Sequence, residues 1–359
     1  MAAEFGWSRG SASLGALIGT AGAAAMAIPM GRIVDRIGSV RVAIASLAML
    51  AVGFVSLGWG TIDLKSFLLI SALLSLTTAG SSPLSFTRLV VASFDCHRGL
   101  ALGTVLAGTG VGAVLVPRLL TPFVAEYGWR AGYFGLGVIV AASLAPLAWL
   151  LTRSNVSKIQ ASQAIPLREL VANPIARLLG CMFFLAAVAI LGTVVQFVPM
   201  LTDWGMTPAR AGATASLIGI VAIGGRLITG ALLDRCPPNR VTMGLLSTAA
   251  LGLGVMGVGG VARAVCGAAV LGLSVGAEAN LIAFLVGRYF ERAVYSQIYG
   301  AIYAAFLVGG SIGPVLSGYL QDLSGDYRLS LLVMAGLLAL SALMTTRMPR
   351  IPAPGPTAP

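Results

Sequence analysis

Charged side chains are scarce in this chain of 359 residues. The 23 basic and 12 acidic residues make up about 10% of it, whereas a soluble domain carries about 25%. So few charges do not cover a water-facing surface, which excludes a soluble globular protein. The apolar fraction of 57% also excludes a disordered chain, which needs low hydrophobicity. The sequence therefore predicts a polytopic membrane protein.

Histidine and cysteine are equally scarce, and this limits the chemistry. His97 is the single histidine, which leaves no room for a Ser–His–Asp triad or a His-based zinc site. The four cysteines show no CxxC pattern and predict free thiols. The basic residues lie singly along the chain, so the net charge of +11 does not indicate nucleic-acid binding. We expect no enzyme activity, no metal, no cofactor and no nucleic-acid partner.

Apolar runs of about 20 residues, the length that crosses a bilayer, divide the chain. The runs are continuous and do not alternate, which favours helices over a β-barrel. The sequence therefore predicts an all-α membrane protein in which eleven helices span the bilayer. The predicted spans cover 11–31, 40–60, 66–91, 99–123, 132–151, 176–202, 210–233, 241–260, 264–287, 295–320 and 329–346.

The basic residues also predict the orientation of the spans. Fourteen of them fall in one alternate set of connections together with the C-terminus, and six fall in the opposite set. Basic loops stay on the cytoplasmic side of a membrane. We therefore expect a multi-pass protein of the cell membrane that has its C-terminus in the cytoplasm and acts as a monomer.

Two copies of one motif indicate an internal repeat. The sequence G-x-x-x-D-R-x-x-x-x-R occurs at Gly31–Arg41 and again at Gly230–Arg240, 199 residues later. Parallel repeats are typical of transporters that hold their substrate at mid-depth between two bundles. Further pairs keep nearly the same offset: Gly6 with Gly205, Pro117 with Pro314, and Gly128 with Gly325.

The repeat divides the chain into two helical bundles. A complete span (176–202) precedes the Trp204-Gly205 loop in the second half, whereas only four residues precede Phe5 in the first. The repeat therefore implies six plus six helices with the first helix absent. We predict an N-terminal bundle over 1–151, a cytoplasmic linker over 152–175, a C-terminal six-helix bundle over 176–347, and a Pro-rich cytoplasmic tail over 348–359.

The repeated motif resembles the signature loop of the major facilitator superfamily. Its first copy lies between two predicted spans on the cytoplasmic side, as in that superfamily. The resemblance implies a two-bundle architecture of twelve helices, of which eleven are present, and transport by alternating access. It also implies a conformational switch that latches the two halves, formed by Gly31, Asp35, Arg36, Gly38, Arg41, Asp234 and Arg235.

A second segment is similar to the monocarboxylate transporters and to their bacterial relatives of the oxalate–formate antiporter branch. It runs over 94–103 and continues through 107–112. The chain departs from this branch at two places. It has only His97-Arg98 where the branch has three basic residues, and it has Ala222 where the branch has an Asp four residues before its Arg. The resemblance implies a secondary carrier of a small organic anion, first of all a monocarboxylate, with a proton or a counter-anion as partner. An exporter of drugs or apolar metabolites has the same fold and is the alternative.

Two ionisable residues inside the spans mark the candidate substrate site, because charges at that depth usually serve transport pathways. Arg226 lies about 12 Å from the loop at Asp234, and Glu278 lies about 15 Å from the loop at Arg288, at 1.5 Å per residue. A planar guanidinium grips a carboxylate through two hydrogen bonds. We predict that Arg226 binds the substrate and that Glu278 is its resting partner. A structural ion pair between the two helices is the alternative.

Asn280, Tyr299 and Tyr303 complete the predicted substrate-binding set. The two tyrosines recur four residues apart after Tyr295, so all three share one helical face. Their hydroxyls could meet a carboxylate, or the rings could simply pack. Arg88 lies near the cytoplasmic end of its span, where an arginine side chain can snorkel to water.

Overall fold

The computed structural model describes residues 2–7, 9–94, 96–153 and 166–349. Within these ranges the chain forms thirteen α-helices, joined by turns and short 3₁₀ segments, and no β-strand. Half of the predicted linker (154–165 of 152–175) and most of the predicted tail (350–359 of 348–359) lie outside the described residues.

The helices coincide with the predicted spans to within a few residues at most ends, because continuous apolar runs are also continuous helices here. Short helices α1 and α7 lie outside the spans. The bounds are α1 Ala2–Phe5, α2 Arg9–Ile37, α3 Ser39–Gly60, α4 Leu64–Thr78, α5 Pro83–Ser93, α6 Arg98–Arg153, α7 Leu167–Ala172, α8 Pro174–Asp203, α9 Pro208–Arg235, α10 Pro238–Gly259, α11 Ala264–Tyr289, α12 Tyr295–Ser324 and α13 Tyr327–Met344.

The predicted span over 66–91 is the one that the structure divides. Helix α4 ends in a 3₁₀ turn over Ala79–Ser81, and α5 begins at Pro83. Ser82 between them is extended, with φ −71° and ψ 172°. A residue that precedes proline avoids the helical region, and proline itself has no N–H to continue the ladder.

Helix α6 contains the fold-back between two predicted spans. Its 56 residues would extend about 84 Å as a straight helix, nearly three times the thickness of a hydrocarbon core. Gly128, with φ +83° and ψ 168°, interrupts it at the predicted boundary between 99–123 and 132–151. A left-handed φ of this kind favours glycine.

Eight stretches of the described helices are long and apolar enough to cross a membrane. Two of them, Arg98–Trp149 and Pro238–Tyr289, have 52 residues each, which is enough for two crossings. Helix α2 is not among the eight. The all-α polytopic fold is confirmed, and the count of eleven spans stays a prediction.

The repeat is visible in the backbone and in one side-chain bond of each half. Gly128 and Gly325 both have positive φ, +83° and +70°. In the first half Trp129 donates its indole N–H to the carboxylate of Glu4 (2.5 Å). In the second half Trp204 donates to the carboxylate of Asp326 (2.8 Å). The hydrogen bond from Arg130, followed by that from Trp129, lowers the pKa of the Glu4 carboxyl.

The helices pack into two compact units whose boundaries differ from the predicted halves. Unit 1 contains the described residues of Met1–Ser93, Gly112–Ile165 and Glu291–Ala304. Unit 2 contains those of Phe94–Val111, Pro166–Phe290 and Ala305–Pro359. The first part of α6 therefore belongs to unit 2, and the first part of α12 belongs to unit 1.

Glycines bring α8 and α12 into direct backbone contact within unit 2. A Cβ atom on Gly192 would lie 2.8 Å from the carbonyl carbon and oxygen of Gly313. A Cβ atom on Gly313 would lie 2.2 Å from the carbonyl oxygen of Val188. Small residues at helix contacts are typical of membrane proteins, since lipid leaves close packing as a main source of stability.

We predict that Gly192→Ala destabilises the protein by about 1–3 kcal/mol, because the backbone of α12 must move to admit the methyl group. The measurement is the thermal unfolding midpoint in one detergent. Gly180→Ala on the same helix is the matched control, since a Cβ atom there meets nothing within 4 Å. Equal midpoints for the two variants would show that the close contact contributes nothing to stability.

Candidate substrate site and helix-terminus contacts

The first copy of the motif places a carboxylate at the start of a helix. Asp35 of α2 is 2% exposed, and its Oδ2 accepts a hydrogen bond from the backbone N–H of Gln297 (3.0 Å). Gln297 lies in the first turn of α12, and both residues belong to unit 1. The first N–H groups of a helix have no partner within the helix and carry partial positive charge, so a carboxylate stabilises them.

Arg88 of α5 completes this contact, and the predicted snorkelling of its side chain is wrong. Arg88 is 3% exposed, forms an ion pair with Asp35, and donates a hydrogen bond to the hydroxyl of Ser296 (3.0 Å). A buried charge must be paired, and the motif carboxylate is its partner. Sequence reasoning missed the pair, although a buried motif Asp needs a cation and Arg88 lies at a suitable depth.

The second copy repeats the arrangement within unit 2. Asp234 of α9 accepts hydrogen bonds from the backbone N–H groups of Gly99 (2.6 Å) and Leu100 (2.8 Å), in the first turn of α6. Arg98 donates instead to backbone carbonyl oxygens, those of Phe94 (2.9 Å) and Gly287 (3.2 Å). Both motif carboxylates therefore cap a helix start, and Asp35 also forms an ion pair with Arg88.

The motif glycines explain how the backbones come so close. A Cβ atom on Gly31 would lie 2.3 Å from the carbonyl oxygen of Ser296, and one on Gly230 would lie 2.3 Å from that of Gly99. Residues four apart share one face of a helix, so each glycine and its aspartate meet the same partner helix. The spacing G-x-x-x-D thus lets two helix backbones approach closely and brings a carboxylate to the first N–H groups of the partner helix.

The remaining residues of the predicted switch contribute differently. Gly38 has φ +97° and ends α2. The second copy has Pro237 at the equivalent position, 199 residues later. Arg36, Arg41 and Arg235 are exposed, as expected for basic residues at the membrane surface.

Arg226 lies on α9 among small residues of unit 2. Its carbonyl oxygen accepts a hydrogen bond from the side-chain amide of Asn280 (2.6 Å). Its Nη1 lies beside α6, 2.7 Å from the position that a Cβ atom on Gly110 would take. Nε and Nη1 are buried and donate no hydrogen bond to a described residue. The structure thus brings together two of the predicted site residues, Arg226 and Asn280.

Glu278 does not pair with Arg226, contrary to the predicted resting pair and to the alternative of a structural ion pair. A Cβ atom on Gly276 would lie 2.4 Å from the carbonyl oxygen of Ala222, and Asn280 binds the Arg226 carbonyl, so these two positions of α11 face α9. Glu278 is two residues from each of them, and two residues correspond to a rotation of about 200° around the axis of a helix with 3.6 residues per turn. Its carboxylate therefore points away from α9.

The three tyrosines of α12 stack on one another within unit 1. Ring centroids are 5.8 Å apart for Tyr295 and Tyr299, and 5.7 Å apart for Tyr299 and Tyr303. The Tyr299 hydroxyl is buried and has no hydrogen-bond partner among the described residues. Packing of the rings is therefore present, and binding of a carboxylate by the hydroxyls stays a prediction.

Apolar helices long enough to cross a bilayer, together with two copies of one helix-start contact, define a polytopic helical membrane protein with an internal repeat. The chain belongs to the Major Facilitator Superfamily, whose family model matches residues 1–277. The fold agrees: the crystal structure of the Escherichia coli fucose:proton symporter superposes with a TM-score of 0.79 at 14% identity, covering 94% of this chain and 91% of that one. The predicted superfamily is confirmed.

Two relatives have names that specify carboxylates. Human monocarboxylate transporter 11 is 27% identical over 278 residues, which cover 73% of this chain and 59% of that protein. The chain thus spans about three fifths of the length of that relative. The 3-(3-hydroxy-phenyl)propionate transporter of Escherichia coli (strain K12) is 26% identical over 327 residues, 88% of this chain and 77% of that protein. The predicted resemblance to monocarboxylate transporters is confirmed.

We predict that Asp35→Asn and Arg88→Met each lower the free energy of unfolding by about 3 kcal/mol, because each leaves a buried charge without its partner. The double variant should lose at least about 1 kcal/mol less than the sum of the two, as expected for residues in direct contact. The measurement is a double-mutant cycle of unfolding free energies in one detergent.

The control cycle uses Asp326 and Arg328, an exposed ion pair of 3.1 Å. Exposed pairs contribute about 0.2–1 kcal/mol, so coupling there should be smaller. Additive effects at Asp35 and Arg88 would contradict the assignment of a stabilising buried pair.

Proposed function

We propose that the protein is a secondary active transporter of a small monocarboxylate and works by alternating access. The observation that carries this proposal is the Arg226 guanidinium, which holds two buried N–H-bearing nitrogens without a protein acceptor among the described residues. Taking a charge out of water costs several kcal/mol unless a counter-charge and hydrogen bonds replace the water. A bound carboxylate would supply both.

The number of basic residues near the site favours a substrate with one carboxylate over a substrate with two. Ala222 lies one turn before Arg226 and offers no carboxylate to neutralise it. Helix α12 contains no lysine or arginine that could hold a second acid group. The equivalent of Arg226 in the first half, 199 residues earlier, is Ala27, so the repeat does not require a cation there. An exporter of apolar compounds would gain nothing from this cation.

Three other predicted residues receive roles in this proposal. Asn280 positions Arg226, since it binds the backbone carbonyl of that residue and fixes the turn that carries the guanidinium. Tyr299 and Tyr303 offer neutral O–H donors, which suit a carboxylate without adding charge.

The two helix-start contacts act as the conformational switch in the same proposal. Asp35 and Asp234 each hold the first turn of a helix from the other sequence half. Alternating access moves such halves against each other, so these hydrogen bonds must break and form again in each cycle. The excess of basic residues on one side supports a cytoplasmic position for the motif loops and the C-terminus, in a protein that we propose to lie in the cell membrane.

We predict that Arg226→Lys weakens monocarboxylate binding by about 2–3 kcal/mol, or roughly 30- to 150-fold in Kd, because an ammonium cannot reproduce the two parallel hydrogen bonds of a guanidinium. Dissociation constants for L-lactate and for 3-(3-hydroxyphenyl)propionate should be measured in one detergent, together with thermal unfolding midpoints.

Arg210→Lys is the matched control, since Arg210 is an exposed residue on the same helix. Its affinity should equal that of the wild type. Unchanged affinity in Arg226→Lys with a much lower unfolding midpoint would assign Arg226 to structure and remove the main support for the monocarboxylate proposal.

We predict that Asp35→Asn slows transport turnover about tenfold or more while Kd stays within a few-fold of the wild type, because Asp35 acts on the conformational change and not on the substrate. Exchange rates in proteoliposomes should be expressed per folded molecule. Asp234→Asn should have the smaller effect, since its loop continues with Cys236-Pro237-Pro238 and lacks the glycine found at Gly38. Normal turnover in Asp35→Asn would argue against a latch.

A further inference from the structure

Glu278 is a carboxyl group in a membrane-spanning helix for which the contacts above provide no partner. It is 4% exposed, its Oε1 accepts no hydrogen bond from a described residue, and it forms no ion pair with one. Glu278 lies on the same side of α11 as Gly267 and Val270. These two positions contact Met256 and Gly252 of α10. All of these residues belong to unit 2.

The helices packed around α11 bring no counter-charge to this position. Along α10, the charged residue is Arg240, at the cytoplasmic end. Along α8, the titratable residues are Arg177 and Asp203 at the two ends and the exposed Cys181. From α9 only Arg226 reaches this depth, and it faces the opposite side of α11. The part of α6 in unit 2 contributes Arg98, whose guanidinium binds backbone carbonyls.

A structural role does not account for this side chain. A carboxyl group that forms no ion pair with a described residue, and whose Oε1 accepts no hydrogen bond from one, contributes little to holding the helices together, and an apolar residue of similar size would pack at lower cost. An ionised carboxylate at such a site costs several kcal/mol, and binding one proton removes that cost. Glu278 therefore has the surroundings of a group that changes its protonation state.

We propose that Glu278 binds and releases the proton that accompanies the transported anion. This inference rests on the proposed function above and specifies its coupling ion. On one side of the membrane the Glu278 carboxylate accepts one H⁺ from water, and on the other side the carboxylic acid returns it. One monoanion on Arg226 and one proton on Glu278 cross together, so each cycle moves no net charge. The two sites lie on different sides of α11, and the guanidinium keeps its charge throughout.

The test compares wild type, Glu278→Gln and the control Glu291→Gln in proteoliposomes, with L-lactate and 3-(3-hydroxyphenyl)propionate as probes. Glu291 is an exposed carboxyl just after α11. Three quantities are measured: anion exchange at equal pH on both sides, anion uptake driven by a pH gradient, and proton entry reported by a dye inside the vesicles.

Glutamine is a neutral substitute for the protonated acid. Glu278→Gln should therefore keep exchange within about threefold of wild type but lose pH-driven uptake and proton entry by about tenfold or more. The control should match wild type in all three. Uptake by the wild type should not respond to a membrane potential set with K⁺ and valinomycin, because the cycle moves no net charge.

Retained proton entry in an exchanging Glu278→Gln variant would overturn this inference and leave the proposed function intact. Failure of the wild type to exchange either probe would instead count against the proposed function itself. If Glu278→Gln does not fold, a hydrophobic carbodiimide applied to the wild type gives the answer, since it reacts with protonated carboxyls in apolar surroundings. Mass spectrometry should find the carbodiimide adduct on Glu278. The reaction is run from about pH 5 to 8, the range of physiological titration. Lack of the adduct throughout this range would overturn the inference.

Discussion

The low polarity of the hydrocarbon core decides where each charge of this protein lies. Within the membrane a charged side chain needs an opposite charge, the free end of a helix, or a substrate. Asp35 and Arg88 satisfy each other, Asp234 takes backbone N–H groups, and Arg98 takes backbone carbonyls. Among the described charged residues deep in the spans, Arg226 and Glu278 keep buried polar atoms without such a partner. Because the other buried charges have such partners, these two are the residues to which we assign functional roles.

The motif glycines and aspartates show how one short pattern serves two purposes. Gly31 and Gly230 let two backbones meet, and Asp35 and Asp234 then reach the N–H groups that the meeting brings near. Such a contact is specific because it needs both residues, the glycine for the close approach and the aspartate for the acceptor oxygens, yet it is made of a few hydrogen bonds that a conformational change can exchange. That combination suits a contact that must be firm in one state and absent in another.

Much of this fold follows from local properties of the sequence. Continuous apolar runs determine the helices, and the offset of 199 between motif copies is enough to identify the repeat. The partner of Arg88, by contrast, depends on how two distant helices are rotated. The same holds for Glu278: the period of 3.6 places it opposite Gly276 and Asn280, but only the packing shows that those two face α9. The depth of each charged residue in the membrane was therefore predictable from the sequence, whereas the helix towards which its side chain points was not.

The bond between a tryptophan and a carboxylate in each half has an evolutionary meaning. By the repeat offsets, the indole of Trp129 corresponds to the carboxylate of Asp326, and Trp204 corresponds to Phe5, next to Glu4. The two halves thus keep one bond while donor and acceptor have changed places. If the halves descend from one duplicated ancestor, selection preserved the connection between these loops and not the amino acid at either end. In that case, comparison of the halves by residue identity alone overlooks a feature that their geometry still records.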